Sequence, residues 1–523
     1  MKLKYYRFPI IAMLTFTVLA VSCKEEWENH YYAKAANKSE LNIYEYIQSR
    51  AELSTFSQML KNTGYNVILA ESQTYTVWAP NNTALEGVDL NDSALVNRIV
   101  KNHITRFSCT TFGIGSKSQT ILMLNNKLLP FAKNNVGYTF GGKAIVLSDI
   151  ATANGIVHIL GEYVPYKMNL WEFISKTDGL DSLKTFINSL TKLELDVEKS
   201  FQDDIFVDSI KKETNIVFDR LAALNTEDSI YTAILPDNNA WSEAYSRIFP
   251  FYKTQVKDGG IAKQVEKTKL TLISDLFFKG RKTLPIAEDS LESTGGTNFA
   301  NPDRLFSNAQ LTEMSNGLGF VTGQLKNTAV ESWYKEIRIE AEWTWYGRAT
   351  SNYAASQISS IGTGYKVSGG NYISLVPTTS SNISKVFVTF PIPGSLSAKY
   401  NIYCVFVPGN IVDVTDTKPN KVKFYLSYIN NAGVQVKDAA IDINNTVLTP
   451  TATPAIFTTD PTMIHKMLVA KDFEFAFCNS DYNPADPTKP ITVSLKVENA
   501  VRTTETTFNR TMRIDCIILE PVQ

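Results

Sequence analysis

A turn-rich stretch near the C-terminal end of the chain places aromatic rings among small residues. Residues 349–372 carry Tyr353, Tyr365 and Tyr372, separated by Ala, Ser, Gly and Asn. The face of a tyrosine ring stacks on a sugar ring, and nearby amides and hydroxyls can bond the sugar's hydroxyl groups. This composition predicts a glycan-binding loop. The alternative is ordinary turn chemistry, which favours the same small residues.

A second stretch combines an aromatic ring with carboxylates and amides. Residues 479–487, "NSDYNPADP", offer Asp481, Tyr482 and Asn483. The ring could stack on a sugar while the carboxylate and amide bond its hydroxyls. Asn, Asp and Pro also dominate turns that bind nothing, so this alternative stays open here too.

Two tryptophans precede these stretches in "IRIEAEWTWYGR", residues 337–348. Trp343 and Trp345 share the parity of the apolar positions of a predicted strand. We therefore predict that both are core residues, and that Tyr346, on the opposite face, is a candidate ligand contact.

Catalytic motifs are absent from the sequence: it contains no H-E-x-x-H, no phosphate-binding loop and no G-x-S-x-G. With four histidines in all, metal-centred or Ser-His chemistry is disfavoured, and His103 is predicted to be a buried, hydrogen-bonded residue. Paired-carboxylate glycosidase chemistry leaves no motif and stays open. We expect a protein that is not an enzyme and holds no cofactor, although Asp413 and Asp416 could join a structural calcium site.

The length and charge of the chain indicate how many domains it has and which kinds of partner are disfavoured. At about 150 residues per domain, 523 residues suggest three or four domains. The 51 Lys and Arg balance 52 Asp and Glu, so nothing indicates nucleic-acid binding. The later cysteines are far apart and form no C-x-x-C pair, so their redox state is left open. They are Cys109, Cys404, Cys478 and Cys516.

The N-terminal residues indicate secretion and lipid attachment. A basic start is followed by residues 8–21, an uncharged apolar run too short to span a bilayer, which needs about 20 residues. The run ends in "LAVSC", which resembles the lipobox of bacterial lipoproteins and makes Cys23 the predicted lipidation site. Several acyl chains there would make a lasting anchor.

The next residues, Lys24, Glu25 and Glu26, resemble the export signal of Bacteroidetes surface lipoproteins. That resemblance implies a lipid-anchored protein on the outer face of the outer membrane. The alternative is a solvated linker, because short charged runs are common on exposed tethers.

An internal repeat divides the middle of the chain. The first five residues and the apolar positions of residues 43–60 match those of residues 170–187 at a constant offset, with apolar residues at helical spacing. Later, "YTVWAPNNTAL" parallels "YTAILPDNNAW", and an Asn-Gly turn follows in each copy. The second copy is longer because of an insertion in the charged stretch near residues 191–229.

These blocks resemble the fasciclin (FAS1) family, whose two boxes match "YTVWAPNNTAL" and "NGIVHILGEYVP". The usual Tyr-His helix end is Asn102-His103 in the first copy, and Asp275 stands at the histidine position in the more divergent second copy. The resemblance implies tandem α+β fasciclin domains, which usually serve in adhesion or as scaffolds.

The last two hundred residues alternate apolar and polar positions between turns, as in "KVKFYLSYI". This pattern predicts an all-β sandwich of jelly-roll type. It weakly resembles the galactose-binding-like sandwiches of many carbohydrate-binding modules.

The predicted domains are a signal peptide at 1–22, a tether at 23–38, fasciclin domains at 39–166 and 167–328, and a sandwich at 329–523. The tether also resembles that of lipoproteins encoded beside starch-utilisation-type transporters. The resemblances together imply a non-enzymatic surface lipoprotein that binds glycan or another nutrient beside a TonB-dependent, SusC/SusD-like importer. An adhesin is the alternative, and a glycosidase a weaker one.

Overall fold

A computed structural model describes residues 38–523 apart from 115–117, 136, 203–204, 379, 381–384 and 482–489. The predicted anchor and export residues therefore lie outside the described part. The α-helices are α1 Ile43–Ser49, α2 Ser54–Asn62, α3 Tyr65–Ile68, α4 Ser93–Asn102, α5 Leu170–Lys176, α6 Asp181–Ser189, α7 Val197–Ser200, α8 Asn238–Ile248, α9 Gly260–Ser274 and α10 Asp303–Phe306.

The strands of the two repeats are β1 Tyr75–Pro80, β2 Ile104–Thr105, β3 Gln119–Leu122, β4 Leu128–Lys133, β5 Tyr138–Phe140, β6 Lys143–Thr152, β7 Gly155–Leu160, β8 Thr191–Leu195, β9 Phe201–Gln202, β10 Ile205–Phe206, β11 Lys211–Asn215, β12 Tyr231–Pro236, β13 Phe277–Lys279, β14 Ser290–Glu292, β15 Asn298–Ala300, β16 Gln310–Met314 and β17 Gly317–Thr322.

The strands that follow are β18 Ile337–Glu340, β19 Ala349–Ser351, β20 Tyr353–Ser359, β21 Asn371–Pro377, β22 Phe387–Pro391, β23 Lys399–Phe406, β24 Lys421–Ile429, β25 Gln435–Ala440, β26 Phe457–Thr458, β27 His465–Glu474, β28 Ser494–Asn499 and β29 Met512–Pro521.

The described residues group into two compact units. One comprises the chain up to Phe173 with Leu224–Ile230 and Glu313–Asn316, and the other comprises Ile174–Ala223, Tyr231–Thr312 and Gly317–Gln523. The domain boundaries derived from the sequence are not tested by this division and stay predictions.

The first unit is built on a seven-stranded sheet in the order β2-β1-β7-β6-β5-β4-β3. Its central pair, β1 and β7, is parallel, with Tyr75 opposite Gly155. Helix α1 begins with a capping box between Asn42 and Glu45, which satisfies the first free N–H groups. The apolar stripe predicted on α2 is fully buried at Phe56 and Met59, so the helix contributes to the core as expected.

The Asn-Gly turn has the same construction in both repeats. Asn154 accepts a hydrogen bond from the backbone N–H of Ile43 at 2.8 Å, and Asn316 accepts one from Leu170 at 2.8 Å. Gly155 has a φ of 157°, and a Cβ there would lie 2.1 Å from the carbonyl oxygen of Tyr75. A side chain cannot fit so close to a neighbouring strand, so glycine is required.

The second repeat has a four-stranded sheet in the order β13-β12-β17-β16, again with a parallel central pair. Asp275 ends α9, just as His103 ends α4. The carboxylate of Asp275 is buried and accepts hydrogen bonds from Asn327 at 3.2 Å and from Ser332. The position that holds a histidine in the first repeat is therefore a hydrogen-bonded carboxylate in the second.

The insertion of the second repeat contains a β-ribbon. Strands β8 and β11 pair as an antiparallel two-stranded sheet, with Leu193 opposite Glu213. Between them lie α7 and the short pair β9 and β10. We call residues 191–215 the arm.

The C-terminal region consists of two antiparallel sheets. One has the order β20-β21-β29-β23-β27 with β18 beside β29, and the other has the order β19-β22-β28-β24-β25 with β26 beside β24. The inner faces meet, since the ring of Phe406 lies 6.3 Å from that of Phe424. Val422, Phe424 and Leu426 are buried, which confirms the predicted alternation in β24.

The second repeat is bonded to this sandwich within one unit. The backbone N–H of Ser397 donates to the carbonyl of Phe251 at 2.9 Å, and the backbone N–H of Cys478 donates to the carbonyl of Lys253 at 2.8 Å. Among the described residues, no helix is both long and apolar enough to cross a bilayer.

Candidate functional site

Two of the tyrosines predicted to bind a ligand are core residues. Tyr353 is buried in β20 and its hydroxyl reaches the carbonyl of Arg510 at 3.4 Å. Tyr372 is 1% exposed and packs with Val407 and Ile411. Their rings cannot stack on a sugar, so the predicted role is wrong for both. The reason is that residues 353–359 and 371–377 are paired strands, whereas the sequence suggested one continuous loop.

The hydroxyl of Tyr365 hydrogen-bonds residues of two other loops of the sandwich. Its hydroxyl lies 2.8 Å from Oδ1 of Asn410 and 3.0 Å from the carbonyl of Thr462. Its half-buried ring packs against the cluster formed by Tyr372, Val407 and Ile411. Because both the ring and the hydroxyl have protein partners, the structure gives Tyr365 a positioning role at this end of the sandwich.

The second predicted loop is partly engaged elsewhere. A carboxylate oxygen of Asp481 lies 2.6 Å from Nζ of Lys267, a buried lysine on α9. A buried ammonium needs a paired carboxylate. Since Lys267 belongs to the second repeat and Asp481 to the sandwich, this ion pair joins the two. Tyr482 and Asn483 lie outside the described residues, and their predicted roles stay predictions.

Among the described residues of the sandwich, Trp345 is the most exposed aromatic side chain, and Trp343 beside it is half-buried. Strand β18 ends at Glu340, and the chain then turns. Trp345 is 59% exposed, its ring stacks on Trp343 at 4.8 Å and 29°, and Tyr346 lies 6.0 Å from both. The prediction that both tryptophans are core is wrong, because strand parity has no meaning beyond the end of the strand. We call Trp343, Trp345 and Tyr346 the aromatic turn.

Next to this turn lies a cluster of three acids, two of them buried. Glu340 is 8% exposed, Asp515 is buried, and Glu342 is half-buried. Ser368 donates its hydroxyl to Glu340 at 2.5 Å and its backbone N–H to both oxygens of Asp515 at 3.0 and 3.1 Å. One Oε2 atom each of Glu340 and Glu342 is buried and accepts no hydrogen bond within the described part of the chain. We call these three acids the acidic pocket.

The electrostatics of the acidic pocket favour a positive ligand. Burial, reinforced by the charges of Glu340 and Glu342, raises the pKa of Asp515 to about 7. Burial also raises the pKa of Glu342, to which the charge of Glu340 contributes. Cys516 belongs to the same group of potential ligands, but burial raises the pKa of its thiol. Glu340 and Asp515 offer carboxylate oxygens, the ligand type that a hard cation such as Ca²⁺ takes.

Asp413 and Asp416, the acids that the sequence suggested for calcium, are engaged in other bonds. The Asp413 carboxylate accepts hydrogen bonds from the backbone and hydroxyl of Thr415. Asp416 accepts one from Asn509 at 2.9 Å and lies 3.7 Å from Arg513. Arginines act on the acidic pocket as well, Arg338 on Asp515 and Arg348 on Glu342. The acidic pocket is the better candidate for a metal because Glu340 and Glu342 each keep a buried Oε2 that accepts no hydrogen bond within the described residues.

We expect calcium to stabilise the sandwich through the acidic pocket. A ligand at a hundred times its dissociation constant adds about 2.7 kcal/mol to the free energy of unfolding. Asp515→Asn should abolish this gain, because the variant loses a charged ligand, whereas Asp413→Asn should retain it. Thermal unfolding with calcium or with a chelator measures both effects.

When calcium is removed by a chelator, the same substitution should change the unfolding temperature in the opposite direction. At pH 8 Asp515 is ionised at a buried site, so Asp515→Asn should unfold at a higher temperature than the unaltered chain when calcium is absent. An equal calcium shift in the unaltered chain and in Asp515→Asn would exclude this pocket as the metal site.

The comparisons with known proteins bear on the first repeat. The Fasciclin domain family matches residues 51–164. The chain therefore contains a fasciclin domain. No curated protein matches the chain.

Several solved structures resemble part of the chain. The structure of a FAS1 domain pair from the insect cell adhesion molecule Fasciclin I covers 54% of this chain and 98% of its own, with 13% identity and a TM-score of 0.21. A family 35 carbohydrate binding module from Clostridium thermocellum covers 36% and 99%, with 10% identity and a TM-score of 0.16. A xylan-binding domain of family 22 covers 36% and 94%, with 14% identity and a TM-score of 0.19.

The fasciclin domain buries His103 as predicted. Its Nδ1 donates to the carbonyl of Ile99 at 2.7 Å, and its Nε2 accepts the backbone N–H of Val164 at 2.9 Å. His158 is also buried, with Nε2 3.0 Å from the carbonyl of Cys109 and Nδ1 3.2 Å from the backbone N of Asp149. Burial lowers the pKa of His103 to about 4, so the ring is neutral and structural.

A buried lysine of the fasciclin domain pairs with two glutamates that follow it in the chain, one on α5 and one shortly before β12. Nζ of Lys127, whose side chain is 4% exposed, lies 2.7 Å from Glu172 and 2.6 Å from Glu227. The hydroxyl of Tyr166 donates to Glu172 at 2.5 Å. Burial would raise the pKa of Glu172, but the hydrogen bonds from Lys127 and Tyr166 bring it below its usual value. This network could not be predicted from local sequence patterns, because its members come from distant segments.

Proposed function

We propose that this protein is a non-enzymatic cell-surface lipoprotein whose sandwich binds glycan. The aromatic turn carries the proposal. Two stacked indole rings, one of them largely exposed, offer an apolar surface for the apolar face of a sugar ring. The turn leaves the end of β18, and a paired strand is a rigid support of the kind that sandwich proteins use to present binding loops.

The placement at the cell surface rests on the sequence. Cys23 would be lipidated, and Lys24, Glu25 and Glu26 would direct the chain to the outer face of the outer membrane. Two fasciclin domains in tandem would follow the tether, and the shared construction around Asn154 and Asn316 supports the second one. A sandwich of jelly-roll type would complete the chain.

The proposed context is nutrient uptake. The chain would serve a TonB-dependent, SusC/SusD-like outer-membrane importer as an accessory subunit that holds glycan, or another nutrient, near the transporter. The alternative is an adhesin that binds host matrix or other cells, which the fasciclin domain favours. A glycosidase is a weaker alternative, because neither fasciclin domains nor sandwiches of this kind usually hydrolyse sugars.

Replacing Trp345 with Ala should weaken glycan binding roughly tenfold, because the exposed half of the stacked pair is lost. Trp345→Phe should keep most of the affinity, since a smaller ring still stacks. Val414→Ala removes a comparably exposed apolar side chain elsewhere on the sandwich and should change nothing. A glycan array followed by titration calorimetry on the best ligand measures the effect.

Two results would count against the proposal. If the chain binds no glycan in a broad array but binds matrix proteins, the adhesin alternative gains. If Trp345→Ala binds glycan as tightly as the unaltered chain, the sandwich uses another surface. Release of reducing sugar from a bound glycan would instead support the glycosidase alternative.

A further inference from the structure

The arm of the second repeat carries an open strand edge with exposed apolar residues. Strand β8 pairs with β11, and no other described strand lies beside either of them. Leu193 is 68% exposed and Leu195 is 38% exposed. A two-stranded ribbon is marginally stable alone in water, and an unpaired edge is a template for another strand. The arm therefore has the properties of an interaction surface.

The hydrogen bonds of the ribbon fix which backbone groups face outward. The N–H of Asp196 donates to the carbonyl of Ile210 at 2.8 Å, so residue 196 faces the β11 side. Backbone groups alternate along an antiparallel strand, so residues 192 and 194 also face β11. The N–H and C=O groups of Thr191, Leu193 and Leu195 must then point away from β11, along the open edge.

The side chains of β8 suit pairing with an identical strand. Successive side chains lie on opposite faces, so Leu193 and Leu195 share one face while Lys192 and Glu194 share the other. In an antiparallel pair centred on Leu193, Lys192 stands opposite Glu194 of the second copy, and Glu194 stands opposite its Lys192. The outward groups of residues 191, 193 and 195 are also in register to hydrogen-bond with those of residues 195, 193 and 191.

The charges discriminate against other registers. Pairing β8 around residue 192 or 194 would set Lys against Lys or Glu against Glu, which is unfavourable for directly opposed side chains. The outer edge of β11 has the same problem, because registers centred on Lys211, Lys212 or Glu213 each oppose like charges. Of the registers compared, charge complementarity favours the antiparallel pairing of β8 centred on Leu193.

We propose that a second copy of this chain docks on β8 to form a twofold symmetric dimer. The two ribbons join into one four-stranded sheet in the order β11-β8-β8-β11. Its apolar face carries Leu193 and Leu195 from each copy, and its other face carries alternating Lys and Glu. An interface of this kind uses the same patch on both copies and is closed, so it does not extend into a fibre. This pairing is independent of glycan binding and of the membrane anchor.

Proline substitutions test the edge with a matched control. The Leu193 N–H faces outward, so Leu193→Pro removes a bond to the second copy without removing one to β11. Glu213→Pro is the corresponding change on the outer edge of β11. Sedimentation of the chain from residue 24 onward, over about 1 µM to 1 mM, should show a dimer whose dissociation constant rises at least tenfold in Leu193→Pro and stays unchanged in Glu213→Pro.

Cysteine cross-linking tests the register independently of any effect of proline on folding. In the proposed pair the two copies of residue 193 are directly opposed, about 5.5 Å apart at Cα, a separation that a disulfide can bridge. Leu193→Cys should form a covalent dimer under mild oxidation, and Glu213→Cys should not. A chain that stays monomeric across the concentration range, species that grow beyond dimers, or equal cross-linking of both variants would each overturn the proposal.

Discussion

Lys127→Met should lower the free energy of unfolding of the unit that holds the fasciclin domain by about 3–5 kcal/mol. The lysine side chain is 4% exposed and bonds two carboxylates at 2.7 and 2.6 Å. Methionine fills a similar volume but leaves Glu172 and Glu227 without their cation. An uncompensated buried charge is destabilising because neither water nor a partner solvates it.

The matched control is Lys143→Met in the same unit. Lys143 pairs with Glu162 at 2.5 Å, but the two side chains are 32% and 66% exposed, so its loss should change stability by less than about 1 kcal/mol. Denaturant unfolding, followed by hydrogen exchange in peptides covering β1 and β7, measures both variants in the relevant unit.

A combined variant separates lost charge compensation from lost packing. Replacing Glu172 and Glu227 with Gln in the Lys127→Met background removes the stranded charges and should recover part of the stability. Equal losses in Lys127→Met and Lys143→Met would show that the buried network contributes no more than a surface pair.

Features set by local pattern could be predicted from the sequence. The apolar residues of α2 recur at helical spacing, which predicts a buried stripe on one face of the helix. Phe56 and Met59 of this stripe are buried. The Asn-Gly turn before β7 was visible because only a small residue tolerates the backbone there, and Gly155 has a positive φ. The repeat itself was visible because both copies need the same turn and the same stripe.

The candidate site depended on where a strand ends, which the sequence does not show. The prediction for Trp343 and Trp345 assumed that β18 continued past Glu340. The chain turns there instead, and Arg348 donates a hydrogen bond to the carbonyl of Ala341. For Tyr353 and Tyr372 the sequence predicted a loop where the structure has strands. The Gly and Ser residues between the two tyrosines are typical of turns, so neither strand was recognised.

The acidic pocket was missed because its members are distant in sequence. Glu340 and Asp515 lie on β18 and β29, which only the folded sheet brings together. One local signal existed: Asp515 interrupts the apolar run "RIDCIILE", and a carboxylate in a buried strand needs a compensating partner. A search for charged residues inside predicted core strands would have found it.

Acid should destabilise the fasciclin domain through its buried histidines. The pKa of His103 is lowered from 6.5 to about 4, chiefly by burial. Between these values the unfolded chain binds a proton that the folded chain does not, so stability falls as the pH falls. Protonation of Nε2 would also break its bond from the N–H of Val164, which lies at 2.9 Å.

The size and assignment of this effect can be measured together. From His103 alone, stability should fall by about 2 kcal/mol between pH 7.5 and pH 5, since each pKa unit corresponds to about 1.4 kcal/mol. Burial also lowers the pKa of His158, so that residue acts in the same direction. The variant His103→Gln should have a lower free energy of unfolding at pH 7.5 than the unaltered chain. Its free energy of unfolding should change less with pH, because glutamine does not titrate.

His465 provides the matched control, since it is only partly buried and lies on β27 of the sandwich. His465→Gln should leave the pH dependence of the fasciclin domain unchanged. Denaturant unfolding at several pH values, read by hydrogen exchange in β1 and β7, separates the domain from the rest of the chain. A slope that is the same in His103→Gln as in the unaltered chain would mean that other groups, such as His158 alone, take up the proton on unfolding.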